Sequence, residues 1–221
     1  TFLVMFIGKA SSQLIADHTC TDIAAIPEAA ILQAKEVLHI AYGHTSHGSQ
    51  VTDGMSGLIG FANDGGLGLS LPESIFRWNH GGNDNALDLH DWAMNGDAGY
   101  WPDWYDNTVS YLSLTENDKV NVIMWSWCGQ VGSKYASGHL WDEYLEPMSQ
   151  LEALYPGVIF VYMTGHLDYW DRENTNAAND SIRSYCRNNS KVLFDFADIE
   201  SFSPDGTSYK ENGDDACDYY D

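Results

Sequence analysis

Four short apolar runs bounded by turn residues divide the chain, and each has the length and the β-branched or aromatic content of a buried strand. They are residues 39–42 (His-Ile-Ala-Tyr), 120–125 (Val-Asn-Val-Ile-Met-Trp), 158–163 and 191–196. A weaker run, Ser74-Ile-Phe-Arg-Trp78, is a fifth candidate. Between them the period changes to that of helices. Pro27 to Leu38 opens with proline at a first helical position and carries Ile31, Ala34 and Leu38 on one face. Val51, Met55, Leu58, Ile59 and Ala62 form an amphipathic stripe, as do Leu140, Tyr144, Leu145, Met148 and Leu151 ahead of Pro156-Gly157. A fourth helix is expected from Asn176 to Arg187, with Ile182, Tyr185 and Cys186 inward.

Strands alternating with helices predict an α/β fold, a three-layer α/β/α sandwich around a central parallel sheet of about five strands. No internal repeat or low-complexity linker interrupts it, so residues 27–221 read as one domain behind an N-terminal extension, residues 1–26. The extension opens Thr-Phe-Leu-Val-Met-Phe-Ile-Gly, followed by Lys9-Ala-Ser-Ser. That pattern resembles the end of a signal-peptide apolar region with its small-residue cleavage site, and a buried strand is the competing reading. No run reaches the roughly 18–20 apolar residues of a membrane span.

Charge narrows the function classes. Against 10 Lys+Arg stand 32 Asp+Glu, a formal net charge of −22 over 221 residues. Such a chain cannot assemble the basic surface that releases counterions from a nucleic acid, nor one that adheres to anionic lipid. The four cysteines, Cys20, Cys128, Cys186 and Cys217, lie in no C-x-x-C and at no zinc-finger spacing. With the acidic charge and the N-terminus they point to a secreted, extracellular or periplasmic protein holding a disulfide, its pairing open among three.

Ligands of parallel sheets bind beyond the carboxyl ends of the strands, so the polar segments that follow the predicted strands carry the candidate chemistry. The densest is Gly43-His-Thr-Ser-His-Gly-Ser49, which leaves a strand and enters a helix. A hydroxyl there faces orphan N–H groups and the positive end of a helix dipole, which suits a serine nucleophile and its oxyanion. Ser46 is the candidate nucleophile and Ser49 the expected N-cap. In Thr164-Gly-His-Leu-Asp168, His166 is the candidate base and Asp168 the group that would orient it. His44, His47, Asn79 and Trp127 are the candidate substrate contacts.

The order of these blocks resembles that of the SGNH or GDSL-type hydrolases, single-domain α/β proteins with a serine after the first strand, a glycine after the second and an asparagine after the third. Gly43-His-Thr-Ser46 stands where the family has Gly-Asp-Ser, Asn79-His-Gly-Gly82 resembles its glycine block, and Trp125-Ser-Trp-Cys-Gly-Gln130 stands at its Gly-x-Asn-Asp. The resemblance implies that the Gly82 N–H and the Gln130 amide hold the oxyanion. The first block lacks the family's Asp and the third its Asn. No Asp-x-x-His follows residues 191–196, and the acidic tail to Asp221 holds no histidine, so the sequence is read as one that can continue past Asp221. The motif Tyr42-Gly-His-Thr-Ser-His-Gly-Ser49 also resembles that of secreted bacterial proteins.

The resulting expectation is an exported serine esterase acting on acylated carbohydrate or another polar ester. The alternative is a glycan-binding or extracellular assembly protein on the same scaffold, with a small molecule or polysaccharide as partner. Self-association would run through the apolar N-terminus. Eight tryptophans (Trp78, Trp92, Trp101, Trp104, Trp125, Trp127, Trp141 and Trp170) suit stacking on sugar rings, and equally a protein core. No cofactor is expected. His80 and His90 with Asp84, Asp88 and Asp91 lack a metal-binding spacing. Calcium could meet Asp205, Glu211, Asp214 and Asp215, although the EF-hand order of ligands is missing.

Overall fold

The computed structural model describes residues 14–203 and 206–210. Seven strands form one sheet: β1 (Leu14–Ala16), β2 (His39–Gly43), β3 (Trp78–Asn79), β4 (Leu87–Asp91), β5 (Val122–Trp125), β6 (Ile159–Met163) and β7 (Val192–Phe194). Every pairing is parallel and the order is β1-β7-β6-β5-β2-β4-β3. The helices are α1 (Glu28–Val37), α2 (Ser49–Gly60), α3 (Asp103–Leu112), α4 (Val131–Ala136), α5 (Glu146–Leu154), α6 (Arg172–Asn188) and α7 (Phe196–Glu200). They cover both faces of the sheet, as right-handed crossovers from a central strand require.

Strand alternation sends Ala41, Ile123, Trp125, Phe160, Tyr162 and Leu193 into the larger core. There they meet Trp104 and Tyr111 of α3, Met148 and Leu151 of α5, and Ile182 and Cys186 of α6. The opposite face places Tyr42 and Met163 against Phe196 of α7, with Val51 of α2 beside them. Indole N–H groups in this core find acceptors, as burial demands. Trp125 donates to Thr108 Oγ1 at 2.8 Å and Trp104 to the Glu143 carbonyl at 3.2 Å.

The sheet is larger than expected. Leu14–Ala16, inside the N-terminal extension, pairs with β7 at the sheet edge. Strand β4 was not anticipated, because Leu-Asp-Leu-His-Asp carries polar residues that strands usually exclude. Its alternation nevertheless turns Leu89 into the core while Asp88 and His90 stay partly exposed. The weak run 74–78 is a turn, with Arg77 N–H donating to the Ser74 carbonyl at 3.2 Å, and only Trp78 belongs to a strand. The disulfide is also corrected. Cys20, Cys128 and Cys186 sit on three separate elements, exposed, half-buried and buried, and all three are free thiols. Cys217 and the acidic residues Asp205, Glu211, Asp214 and Asp215 lie outside the described residues, as do residues 1–13. Among the described residues no helix is long and apolar enough to cross a membrane.

Candidate active site at the carboxyl edge of the sheet

The strand order reverses at β2. From it the chain runs outward to the edge strand β3, comes back to insert β4 beside β2, and then crosses to build β5, β6 and β7 on the other side. The carboxyl ends of β2 and β5 therefore flank a switch point, where open α/β sheets form their binding crevice. Gly43 ends β2 under the Trp125 ring, and a Cβ there would lie 2.4 Å from that ring. Gly48 closes the following turn, and a Cβ there would meet His44 Cβ and Ser126 Oγ at 2.3 Å. The two glycines of the motif thus let one tight turn pack against β5.

Within that turn the motif splits into buried braces and an accessible tip. His44 is fully buried, its Nε2 2.7 Å from Asp91 Oδ1 and its ring between Tyr42 and Trp92 at 4.4 and 4.2 Å. Held through both ring nitrogens and between two aromatic rings, it positions the turn. Thr45 Oγ1 donates to buried Asp97 at 2.5 Å, whose other oxygen accepts from Gly99 N–H at 2.9 Å. Burial raises the Tyr42 hydroxyl's pKa well above its usual value, so it remains a donor, here to the Gly48 carbonyl at 2.9 Å.

Ser46 is exposed and begins a 3-10 turn, Ser46–Gly48, that runs directly into α2. Ser49 does not cap N–H groups, because its backbone is already helical. Its hydroxyl donates to the Ser46 carbonyl at 2.7 Å.

His47, the residue after Ser46, bridges to the loop that follows β5. Its Nδ1 lies 3.5 Å from Cys128 Sγ in the loop after β5. Its ring stacks on His166 with centroids 3.9 Å apart and planes 18° from parallel. His166 is buried, and its Nδ1 lies 2.6 Å from the Leu167 carbonyl. A carbonyl only accepts, so Nδ1 donates to it, and Nε2 is the ring's remaining nitrogen. Gly129, with φ +73°, keeps the chain close to that atom, and a Cβ there would lie 3.9 Å from it.

Other expected contacts fall elsewhere. Asp168 does not orient His166; it accepts the N–H groups of Trp170 and Asp171 at 2.8 and 3.3 Å and closes its own turn. Trp127 is buried, donating to the Met163 carbonyl at 3.1 Å, and is core. Gln130 does reach the carboxyl edge, but its Oε1 accepts the Cys128 N–H at 3.0 Å, so its amide braces the loop.

Gly82 and Asn79 lie at the wrong end of the sheet. Asn79 is in register with Asp88, and Asp88 with His39, the first residue of β2. The length of β2, about 13 Å at the strand rise, separates that level from Gly43. Asn79 bonds Asn83 through both ends of its amide, at 2.9 and 3.0 Å. His80 stacks on His90 at 3.8 Å, and His39 Nδ1 holds Asp88 at 2.7 Å.

The carboxyl-edge loop on this side of β2 is residues 91–99, after β4. It contributes Asp91 and Asp97, and its Ala98 N–H donates to the Ser126 carbonyl at 2.8 Å. The Gly-rich stretch Asn95-Gly-Asp-Ala-Gly99 was its available signal. Among the described residues, Asp17, His18 and Asp198 bring three metal-type ligand atoms within 4.8 Å of one another, at the other side of the sheet near β1. The chain has no significant match to a family model, a curated protein or a solved structure.

Proposed function

We propose that the carboxyl-edge crevice is the active site of an exported acyl hydrolase of the serine type, acting on a polar ester. The observation that carries this reading is the placement of Ser46. It is an exposed hydroxyl on the first turn after the central strand, at the switch point, at the head of α2 and next to a histidine stacked on a second one. Ser46 Oγ attacks the ester carbonyl carbon, a histidine of the His47–His166 pair takes the hydroxyl proton, and the backbone N–H groups that open the Ser46–Gly48 turn receive the oxyanion. The same histidine then protonates the leaving alkoxide, and water releases the acyl group by the reverse sequence. The pairs His44–Asp91 and Thr45–Asp97, each with one fully buried member, keep the turn fixed. Likeness to the SGNH hydrolases in block order supports the reading, with the loop 91–99 in the place assigned to Gly82.

Hydrolysis of p-nitrophenyl acetate by the chain and by Ser46→Ala tests it. Turnover that falls at least about a thousandfold in the variant is expected, the usual scale for loss of a nucleophile acting with its base. Equal rates in the two proteins contradict it.

A further inference from the structure

Exposed large side chains occur on several elements, among them Val37, Phe61, Leu114, Tyr135 and Trp141. In the loops of the carboxyl edge they are aromatic: Trp92, Tyr100 and Trp101 after β4, and Tyr169 and Trp170 after β6. Trp92 carries a second signal. Its φ is +55°, a region bulky residues seldom adopt and that proteins tend to retain at functional sites. The ring is 55% exposed even though it packs at 4.2 Å on buried His44. Trp170 is 90% exposed, edge-on to Tyr169 at 5.6 Å. Neither arrangement serves the core.

The two aromatic groups stand on opposite sides of Ser46. Strand β4 is separated from β6 by β2 and β5, which carry the Ser46 and Cys128 loops. Three strand spacings make about 14 Å, comparable to three linked pyranose rings. We infer that these loops are the two walls of a glycan-binding cleft, and that the ester cleaved at Ser46 is carried on a neutral oligosaccharide long enough to touch both. This rests on the acyl-hydrolase reading and names the alcohol half of its substrate. Separated rings across a polar floor suit a sugar, whose C–H faces stack on aromatics while its hydroxyls meet acceptors such as the carboxylates of Asp168 and Asp171. A protein or lipid partner would call for a contiguous apolar patch. The net charge of −22 repels uronate-bearing or sulfated chains and selects neutral ones.

The test titrates Ser46→Ala with xylotetraose, cellotetraose and chitotetraose, following tryptophan fluorescence. Saturable quenching by at least one tetrasaccharide is expected, weaker with the corresponding disaccharide. Adding Trp92→Ala or Trp170→Ala should each weaken it about tenfold, whereas Trp141→Ala, whose exposed indole packs on Tyr185 of α6, should leave it unchanged. Because Trp170 is almost wholly exposed, its variant keeps the test independent of folding. Absence of binding by all three tetrasaccharides, or equal loss with Trp141→Ala, overturns the inference. Turnover of p-nitrophenyl acetate needs no glycan, so it judges the hydrolase reading separately.

Discussion

The imidazoles of His47 and His166, one beside the exposed serine and the other past the end of β6, stack face to face at 3.9 Å. A hydrogen bond from Nδ1 to the Leu167 carbonyl orients the His166 ring, with Nε2 as its remaining nitrogen. His166→Asn removes that nitrogen from the stack. Steady-state hydrolysis of p-nitrophenyl acetate should show kcat lower by about 10²–10⁴-fold with little change in KM. Unaltered kcat would remove His166 from the proton transfer.

Gly48 is required by contact and not by backbone angle. A methyl at this position would sit 2.3 Å from both His44 Cβ and Ser126 Oγ, two buried residues that cannot withdraw. Gly48→Ala should cost about 1–3 kcal/mol in urea unfolding and lower esterase activity together with it. A fully stable and fully active variant would show that the turn tolerates displacement.

The three described cysteines differ sharply in access. Cys20 is exposed, Cys128 half-buried, and burial pushes the Cys186 thiol up to about 12. Iodoacetamide at neutral pH, without reductant, should label Cys20 first and Cys128 more slowly. Cys186 should react only after unfolding, as read by peptide mass spectrometry. Failure of Cys20 or Cys128 to label until reductant is added would contradict the free-thiol assignment.

Within β4, burial and then the neighbouring His80 hold the His90 imidazole below its usual pKa, with Asp88 and Asp91 opposing. The folded state therefore binds its proton less readily than the unfolded chain. The stability that follows is fully present above the unfolded value near 6.5 and is lost as pH falls below it. Urea midpoints measured from about pH 8 down to pH 5 should fall more steeply for the protein than for His90→Gln. Parallel profiles would show that His90 contributes nothing to this dependence.

The fold was legible wherever burial is continuous. β2, β5, β6 and β7 are apolar runs, and the stripes of α2, α5 and α6 face the core as their spacing requires. β1 and β4 escaped notice because one is three residues long and the other alternates Leu with Asp and His. Without β4 the second site block falls one strand away, which puts Gly82 and Asn79 at the wrong edge; Asp91 reads only as part of a weak metal cluster and not as the partner of His44, and Asp97 carries no signal of its own. Local order also misled at Asp168, which follows His166 by two residues and yet bonds its own turn. The His47–His166 stack joins two loops whose proximity only the strand order β6-β5-β2 creates.

Trapping the nucleophile tests the central claim most directly. A fluorophosphonate reacts only with a serine activated by its surroundings, forming a phosphonyl ester at the hydroxyl oxygen with loss of fluoride. After incubation with the folded protein and digestion, mass spectrometry should find the adduct on Ser46, and it should be absent from Ser46→Ala and from protein unfolded in urea. An adduct on another residue, or none in the folded protein under conditions where an active serine esterase is fully labelled, would contradict the account.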